Sequence, residues 1–232
     1  MQVALCILTK NEYKCLNELI PNILSSCKEN NISQIFGLDG GSTDGTIDIY
    51  KKYGIKYFSQ KGNGRGDAFN LAFKNIQADL YIFYSPDGNE NEKDFGKFTE
   101  HAKNGAGIVI ASRMMEGAFN EEDNQFIKMR KWANNMFNFF ANLAFRRKGP
   151  YITDSINGYR AITRETVDKL KLDASGYTIE YQMTMRALKQ KIKIVEFPTI
   201  EGQRLYGETQ AKSIPTGIKF IGCFLSELFN RN

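Results

Sequence analysis

Apolar residues follow two patterns along the chain, and together these predict alternating strands and helices. Continuous apolar runs of strand length lie at 3–9, 35–39, 55–59, 80–84 and 107–112. Between the runs, apolar side chains recur every three or four residues, which is the spacing of an amphipathic helix. Apolar runs without polar alternation are typical of parallel strands covered on both faces. The first 112 residues therefore predict an α/β fold with a doubly wound, mostly parallel sheet and flanking helices.

The second half of the chain continues with longer helices and shorter strands. Helical spacing covers 126–145, 179–190 and 215–229, and short apolar runs lie at 159–163 and 192–197. The pattern changes near residue 113 without a flexible linker. We therefore predict one domain over 1–212, with halves 1–113 and 114–212, followed by a C-terminal amphipathic helix over 213–232.

Composition mainly excludes classes of protein. The 232 residues are 42% hydrophobic and 25% charged, which is typical of a globular chain and argues against a disordered or coiled-coil one. The four cysteines lack CxxC spacing and His101 is the only histidine, so a structural zinc site is not expected. The N-terminus lacks the features of a signal peptide, and no apolar stretch is long enough to cross a membrane. We therefore expect the protein on the cytoplasmic side of the membrane.

Positive charge is concentrated in one segment. The net charge is +5, but residues 126–148 contain six basic residues and no acidic one. The six are Lys128, Arg130, Lys131, Arg146, Arg147 and Lys148. Such a patch attracts phosphate groups, a membrane surface or nucleic acid. Nucleic acid is the weakest of these interpretations, because the patch lacks a recognisable nucleic-acid motif.

Polar loops follow the predicted strands, at the edge where doubly wound sheets bind their ligands. In the loop LDGGSTDGT, Asp39 lies at a strand end, where a carboxylate can accept hydrogen bonds from a ribose or a base, and Asp44 is expected to cap the next helix. Arg65 lies in a glycine-rich turn that suits a pyrophosphate. The spacing of these glycines does not match a P-loop. It superficially matches a dinucleotide fingerprint, but that fingerprint normally follows the first strand, whereas these glycines follow the third.

The segment SPDGNEN, at 85–91, follows a buried strand and contains candidate metal ligands. Asp87 and Asn89 stand two residues apart, so on an extended loop their side chains point the same way and can share Mg²⁺ or Mn²⁺. Oxygens of a diphosphate would complete the coordination shell. A polar turn with solvated acids is the alternative interpretation.

Seven short motifs occur in a fixed order along nearly the whole chain. They are ILTKNE, LDGGSTDGT, GNGRGDAFNLAF, YSPDGNE, ASR, DSINGYRA and RLYGET. Together they resemble glycosyltransferase family 2, and within it the chain looks most like the dolichol-phosphate mannosyltransferase group of polyprenyl-phosphate sugar transferases. The resemblance implies a GT-A fold, inverting sugar transfer, a nucleotide-sugar donor and a divalent metal, Mg²⁺ or Mn²⁺.

The resemblance also implies roles for individual residues. The residues that would contact the nucleotide sugar are Thr9, Asn11, Glu12, Asp39, Arg65, Asp87, Arg113 and Arg204. Asp87 and Asn89 would hold the metal, and Arg130 would meet a phosphate. Arg204 and the turn at 207–209 would close over the donor.

The chain departs from the family pattern at several positions. Gly40 stands where the family carries the second of two paired acids, and Ser85 replaces the first acid of its metal motif. The missing acid at Gly40 puts the predicted contacts with the nucleotide base in question, and the missing acid at Ser85 is expected to weaken the affinity for the metal. Gln210 follows the GET turn, where family members can carry lysine.

The acceptor decides which catalytic groups are needed. A lipid phosphate is already an anionic nucleophile near neutral pH, whereas a sugar hydroxyl needs a general base. Asp154 is the first candidate for orienting the acceptor or acting as that base, and Glu180 is the second. For each residue, a structural role as a helix cap or an exposed surface acid is an equal alternative. The predicted catalytic residues are thus Asp87, Asp154 and Arg130.

Two predicted helices combine apolar stripes with nearby basic residues. The stripes are Trp132, Met136, Phe139, Phe140 and Leu143 in the first helix, and Ile218, Ile221, Leu225 and Leu228 in the last. This composition predicts helices that lie on an anionic membrane surface, and packing against the domain is the alternative.

The leading interpretation is transfer of a hexose from a UDP or GDP sugar to a polyprenyl phosphate, by a peripheral enzyme on the cytoplasmic face of a membrane. A separate membrane-protein partner is compatible with it, and nucleic acid is not an expected ligand. One alternative is a family 2 transferase acting on a saccharide or protein hydroxyl, for which Asp154 or Glu180 would be essential. The other is a nucleotide-sugar-binding or lipid-binding relative without turnover, because of Gly40 and Ser85.

Overall fold

The computed structural model describes residues 1–62, 64–123, 129–207 and 213–229. Within these residues the chain forms seven strands and eight α-helices. In chain order they are β1 (Val3–Thr9), α1 (Tyr13–Glu29), β2 (Gln34–Asp39), α2 (Thr46–Lys52), β3 (Lys56–Ser59), α3 (Arg65–Asn75), β4 (Leu80–Tyr84), α4 (Phe95–Lys103), β5 (Ile108–Ser112), α5 (Met129–Phe145), β6 (Arg160–Thr163), α6 (Arg164–Leu170), α7 (Ile179–Lys189), β7 (Ile194–Pro198) and α8 (Ser213–Phe229).

The seven strands form one sheet in the order β3-β2-β1-β4-β6-β5-β7. All neighbouring strands are parallel except β6, which runs antiparallel to both β4 and β5. The predicted mostly parallel, doubly wound sheet is therefore confirmed. Because β1 to β4 are parallel, their carboxyl ends and the loops that follow them share one edge of the sheet.

Helices cover both faces of the sheet because successive strand residues point to opposite sides. In β4, Tyr81 and Phe83 pack in the core beneath α3, α5, α7 and α8, where Phe69 stacks on Phe83. Leu80 and Ile82 pack on the other side, beneath α1, α2 and α4. None of the helices in the described ranges is both long and apolar enough to cross a membrane.

Two local expectations need correction. Asp44 is not the helix cap, because Gly45 is the N-cap of α2 and Asp44 lies one residue earlier. Its carboxylate accepts hydrogen bonds from the backbone of both Thr46 and Tyr13, so it joins the starts of α2 and α1. The helix α6 was not predicted, because its seven residues are too few for a clear apolar stripe. The division into 1–212 and 213–232 stays a prediction.

The last helix, α8, packs on α5 and α7. The ring of Phe220 lies 5.2 Å from that of Phe137, measured between centroids. Near the other end of α8, the carboxylate of Glu227 is 2% exposed and lies 2.8 Å from both Arg186 Nε and Lys189 Nζ on α7. Apolar contacts and two ion pairs therefore fix α8 to the domain.

Candidate active site

A cavity of about 1140 Å³ opens at the shared strand edge, beyond the carboxyl ends of β1 to β4. Eight of the eleven predicted site residues line it, namely Thr9, Glu12, Arg65, Asp87, Asn89, Arg113, Arg130 and Arg204. Asn11, Asp39 and Asp154 are not on its lining. The motifs that are far apart in sequence are thus brought together at one edge, as the topology predicts.

Asp39 and Asn11 support the loop after β2 from behind. The Asp39 carboxylate is fully buried and accepts hydrogen bonds from the backbone N–H of Gly41 at 3.0 Å and Ser42 at 3.1 Å. Asn11 Oδ1 accepts one from the N–H of Thr43 at 2.8 Å. These contacts shape the loop, and the nucleotide contacts predicted for both residues stay predictions.

Arg204 closes one side of the cavity by pairing with two acids. Its Nη1 donates to Asp87 Oδ2 at 3.0 Å, and its Nη2 donates to Glu12. The segment 202–205 also pairs with the loop after β4, because Leu205 N–H donates to the Asp87 carbonyl at 2.9 Å. That Arg204 lies over the donor stays a prediction, and residues 208 and 209 of the predicted turn lie outside the described residues.

The loop after β4 presents oxygen atoms to the cavity. Asp87 Oδ1 accepts a hydrogen bond from the Asn89 N–H at 3.1 Å, and Asn89 Oδ1 is buried without a hydrogen-bond partner. Burial raises the pKa of Asp87, and the Asn89 N–H and the Arg204 charge partly offset this effect. A carboxylate and an orphaned amide oxygen suit a hard divalent cation, so these residues fit the predicted metal.

Glu90 adds a second carboxyl group beside this loop. It accepts a hydrogen bond from the Ser85 N–H at 2.6 Å, and burial raises its pKa to about 8. The sequence indicates only that Glu90 is near Asp87. Across the described ranges, no cluster of three or more His, Cys, Asp or Glu side chains has metal-binding geometry. Further ligands would therefore come from the substrate or from water.

Arg65 is another charged residue of the cavity lining. Its Nε is 2.7 Å from Glu180 Oε1, and its Nη1 donates to Ser85 Oγ at 3.4 Å. Burial disfavours the cation, but Glu180, with Glu90 and Asp87, holds the pKa of Arg65 above its ordinary value. A Cβ at Gly158 would overlap Arg65 Nη2, so a side chain there would displace the guanidinium from its present position. Sequence analysis did not assign Gly158 this role.

Arg113 and Asp154 form a buried bidentate ion pair. Arg113 Nε lies 2.8 Å from Asp154 Oδ2, and its Nη2 lies 3.0 Å from Oδ1. Burial alone would raise the pKa of Asp154, but the Arg113 charge holds it below its ordinary value. An ionised, paired and fully buried carboxylate is a poor proton acceptor. The geometry thus favours an orienting role for Asp154 over a general-base role.

Glu201 is a third member of this cluster that sequence analysis missed. Its Oε1 accepts a hydrogen bond from Arg113 Nη1 at 3.1 Å, and its Oε2 accepts one from Asn120 Nδ2 at 2.8 Å. It follows β7 as a lone acid without a motif, so only its position in the fold identifies it. Arg113 is consequently held by two carboxylates, while its guanidinium still lines the cavity.

Three asparagines join α5 to the segment that carries Asp154. Asn134 donates to Asp154 Oδ1 at 3.1 Å, Asn138 accepts from the Ser155 N–H at 2.8 Å, and Asn142 accepts from the Ile152 N–H at 2.9 Å. Their four-residue spacing places them on one face of the helix. This spacing is a signal in the sequence that could have found the contact.

The basic patch is partly neutralised where it meets the cavity. Arg130 Nη1 donates to Glu121 Oε1 at 3.0 Å, and its side chain is 50% exposed. Lys131 pairs with Asp123. Arg146, Arg147 and Lys148 are exposed at the other end of α5. Lys128 lies outside the described residues.

The helices α5 and α8 expose a set of large apolar side chains, here called the apolar face. Its members are Met129, Trp132, Phe139, Phe140 and Leu143 on α5, and Ile218, Ile221, Leu225, Leu228 and Phe229 on α8. Trp132 is 70% exposed and Ile218 is 66% exposed. Both also line the cavity, as do Met129 and Ile221. One cavity therefore extends from the acids and arginines at the strand edge to the apolar face.

Comparison with known proteins agrees with the motifs. The model of the family "Glycosyl transferase family 2" matches residues 4–170. The protein named glycosyltransferase AglJ of Haloferax volcanii is 30% identical, over 98% of this chain and 72% of its own length. The dolichol-phosphate mannosyltransferase of Pyrococcus furiosus is 27% identical, over 91% of this chain and 60% of its own length. The predicted resemblance to this group is confirmed.

A solved structure is similar over the whole chain. The glucosyl-3-phosphoglycerate synthase of Mycobacterium tuberculosis, crystallised with Mn²⁺, UDP and phosphoglyceric acid, has a TM-score of 0.74 and 16% identity, over all of this chain and 80% of its own. This likeness confirms the expected GT-A fold. Together with the ordered motifs and the family match over 4–170, it leads to one conclusion: the chain belongs to glycosyl transferase family 2 and is a glycosyltransferase.

Proposed function

We propose that this glycosyltransferase transfers a hexose from a nucleotide sugar to a polyprenyl phosphate, with inversion at the anomeric carbon, on the cytoplasmic face of a membrane. The observation that carries the proposal is the continuity of the cavity. It joins the charged groups around Asp87 to the apolar face through Trp132 and Ile218. A polyprenyl phosphate has the same two parts, because an anionic head is attached to a long apolar chain.

The donor occupies the strand edge in this proposal. Arg204 pairs with Asp87 and Arg65 lies close enough to interact with its charge, so both arginines can stabilise a diphosphate there. Asp87 and Asn89 would hold Mg²⁺ or Mn²⁺, which would supply positive charge to stabilise the departing nucleoside diphosphate. The solved relative that contains UDP and Mn²⁺ supports this assignment, as does its fold.

The acceptor phosphate lies near Arg113 and Arg130. One of its oxygens attacks the anomeric carbon, a new C–O bond forms, and the bond to the diphosphate breaks with its electron pair leaving on the nucleotide. No proton needs to be removed from an ionised phosphate, so the ion-paired state of Asp154 is compatible with this chemistry. A hydroxyl acceptor would need a free base, and Asp154 is paired with Arg113.

The apolar face rests on the membrane in this proposal. Its side chains bury in the interface, and the exposed Arg146, Arg147 and Lys148 beside it attract anionic headgroups. The mouth of the cavity then meets the lipid directly. A polyprenyl phosphate could enter from the bilayer without crossing water. A separate membrane-protein partner stays a prediction.

The test is transfer of label into lipid. The full chain is incubated with Mn²⁺, a polyprenyl phosphate and labelled UDP or GDP sugars, and label is followed into the organic phase. We expect label from one donor, none with the dephosphorylated polyprenol, and none without metal. Donor binding combined with transfer only to a saccharide would overturn the proposal and support the hydroxyl-acceptor alternative. Donor binding without any transfer would support a binding protein without turnover.

A further inference from the structure

The cavity has a third part, beyond the ends of β1, β2 and β3, that differs from both the charged region and the apolar face. Leu8 and Leu38 contribute apolar surface to it, Gly40 and Gly64 contribute backbone, and Gln60 contributes an amide side chain. Thr9 and Lys10 also line this part, so its apolar walls meet a few polar groups at the edge, an arrangement that suits a flat heterocycle. Such a ring stacks on apolar surface and is recognised by hydrogen bonds along its rim.

Gln60 is held in one orientation. Its backbone N–H donates to the Asp39 carbonyl at 2.8 Å, and its side-chain Nε2 donates to the Gly64 carbonyl at 2.8 Å. Because Nε2 is committed to Gly64, the acceptor atom Oε1 faces the other way, toward Gly40. A Cβ at Gly40 would stand 2.9 Å from Oε1. The carboxamide of Gln60 therefore occupies the space that a side chain at position 40 would need.

The order of the strands sets the distance between this amide and the charged region. Asp87 follows β4, and β1, β2 and β3 lie beyond it in that order. With about 4.8 Å between neighbouring strands, the ends of β2 and β3 lie on the order of 10–14 Å from the end of β4. A nucleotide with its diphosphate at Asp87 can place its base at this distance, across the end of β1.

We propose that Gln60 selects the base of the donor nucleotide by accepting a hydrogen bond from a ring N–H. Uracil has such a hydrogen on N3 and guanine has one on N1, whereas cytosine N3 and adenine N1 carry a lone pair that would repel the amide oxygen in the same position. The oxygen of Gln60 thus favours UDP or GDP sugars over CDP or ADP sugars. Gly40, which replaces the second of the family's paired acids, leaves the room that this amide requires. This inference rests on the proposed use of a nucleotide-sugar donor.

The first experiment measures binding of UDP, GDP, CDP and ADP to the full chain by calorimetry with Mg²⁺. We expect UDP or GDP to bind about tenfold more tightly than CDP and ADP, which corresponds to one hydrogen bond to an otherwise unpaired partner. Gln60→Leu should lose this preference while retaining the weaker binding. Gln77→Leu is the matched control, because Gln77 is exposed and is not on the cavity lining.

The second experiment uses Gly40→Ala. The backbone at Gly40 is not in the left-handed region, and the tightest contact of a new Cβ is the flexible end of Gln60. We expect Gly40→Ala to weaken binding of the preferred nucleotide about as much as Gln60→Leu does. The double variant should bind this nucleotide no more weakly than either single variant. Thermal unfolding of each variant checks that the fold is retained.

The outcomes separate the two proposals. An unchanged base preference in Gln60→Leu, or fully additive effects of the two changes, would overturn the role of Gln60 and leave the proposed function standing. Absence of binding to all four nucleotides in the unmodified chain would overturn the proposed function and this inference with it.

Discussion

The two sides of the cavity are constructed in different ways. The donor side consists of the loops after β1 to β4 and the segment 202–205. Hydrogen bonds from backbone N–H groups to nearby side chains and carbonyls hold most of it, and Arg204 adds ion pairs with Asp87 and Glu12. The acceptor side consists of α5, α8 and the segments 113–123 and 152–155, and ion pairs and asparagine contacts between distant residues hold it. Strand order therefore positions the donor side, whereas side-chain pairing positions the acceptor side.

The difference implies that single substitutions act differently on the two sides. On the donor side, the strands keep their positions when a cavity-lining side chain such as Asp87 is removed, so such a variant should lose chemistry while remaining folded. On the acceptor side, the side chains are themselves the support, so a variant should lose stability together with activity.

The largest expected effect is that of Asp87→Ala. Removing this carboxylate should lower metal-dependent transfer by about 100-fold or more, because it takes away a predicted metal ligand and the partner of Arg204. The unfolding midpoint should change little. Transfer assays and Mn²⁺ binding by electron paramagnetic resonance measure both properties. Asp48→Ala, an exposed acid on α2, is the control, and unchanged turnover in Asp87→Ala would contradict the metal assignment.

On the acceptor side, Asp154→Asn should destabilise the fold by about 3 kcal/mol, because it leaves Arg113 without its bidentate partner. Urea unfolding at several pH values measures this effect. The pKa of Asp154 is lowered in the folded protein, so its contribution to stability is present above about pH 4 and is lost as the pH falls further. The difference between the wild type and the variant should shrink in that range. A constant difference down to pH 2 would contradict the ion pair as its source.

The apolar face should account for membrane binding. The double variant Trp132→Ser and Ile221→Ser should reduce flotation with anionic liposomes about tenfold, because two large exposed side chains lose their apolar area. Ile200→Ser is the control, since Ile200 is similarly exposed at 63% but is not on α5 or α8. A wild-type chain that never floats would contradict the membrane proposal.

The smallest expected effect is that of Arg130→Ala, which should raise the KM for the lipid phosphate several-fold and leave donor binding nearly unchanged. The half-exposed position of Arg130 and its pair with Glu121 limit the size of the effect. Arg164→Ala is the matched control, because Arg164 forms a similarly exposed ion pair with Asp168 outside the cavity lining. Equal losses of donor and acceptor binding would place Arg130 on the donor side instead.

The sequence predicts the donor side better than the acceptor side for a physical reason. Apolar runs fix the strands and parallel strands bring their carboxyl ends together, so the sequence pattern places Arg65 and Asp87 in one site, and the family resemblance adds Arg204 to it. Glu201 could not be placed in this way, because its partner Arg113 is 88 residues away in the sequence. Gly158 could not be placed either, because the Arg65 side chain that it faces lies on another element. Asp154 was found through its motif, but its bidentate contact with Arg113 depends on tertiary packing.

The two ion pairs that Glu227 makes with α7 have a mechanical consequence. Since α8 is joined to α7 at that end and packs on α5 through Phe220 and Phe224, the two helices form a base with two lines of support. A single helix on a bilayer leaves the attached domain free to roll about that helix axis, whereas a pair of helices resists such rolling. On a membrane surface this base would hold the cavity at a constant height above the headgroups, so that every acceptor arrives at the same depth.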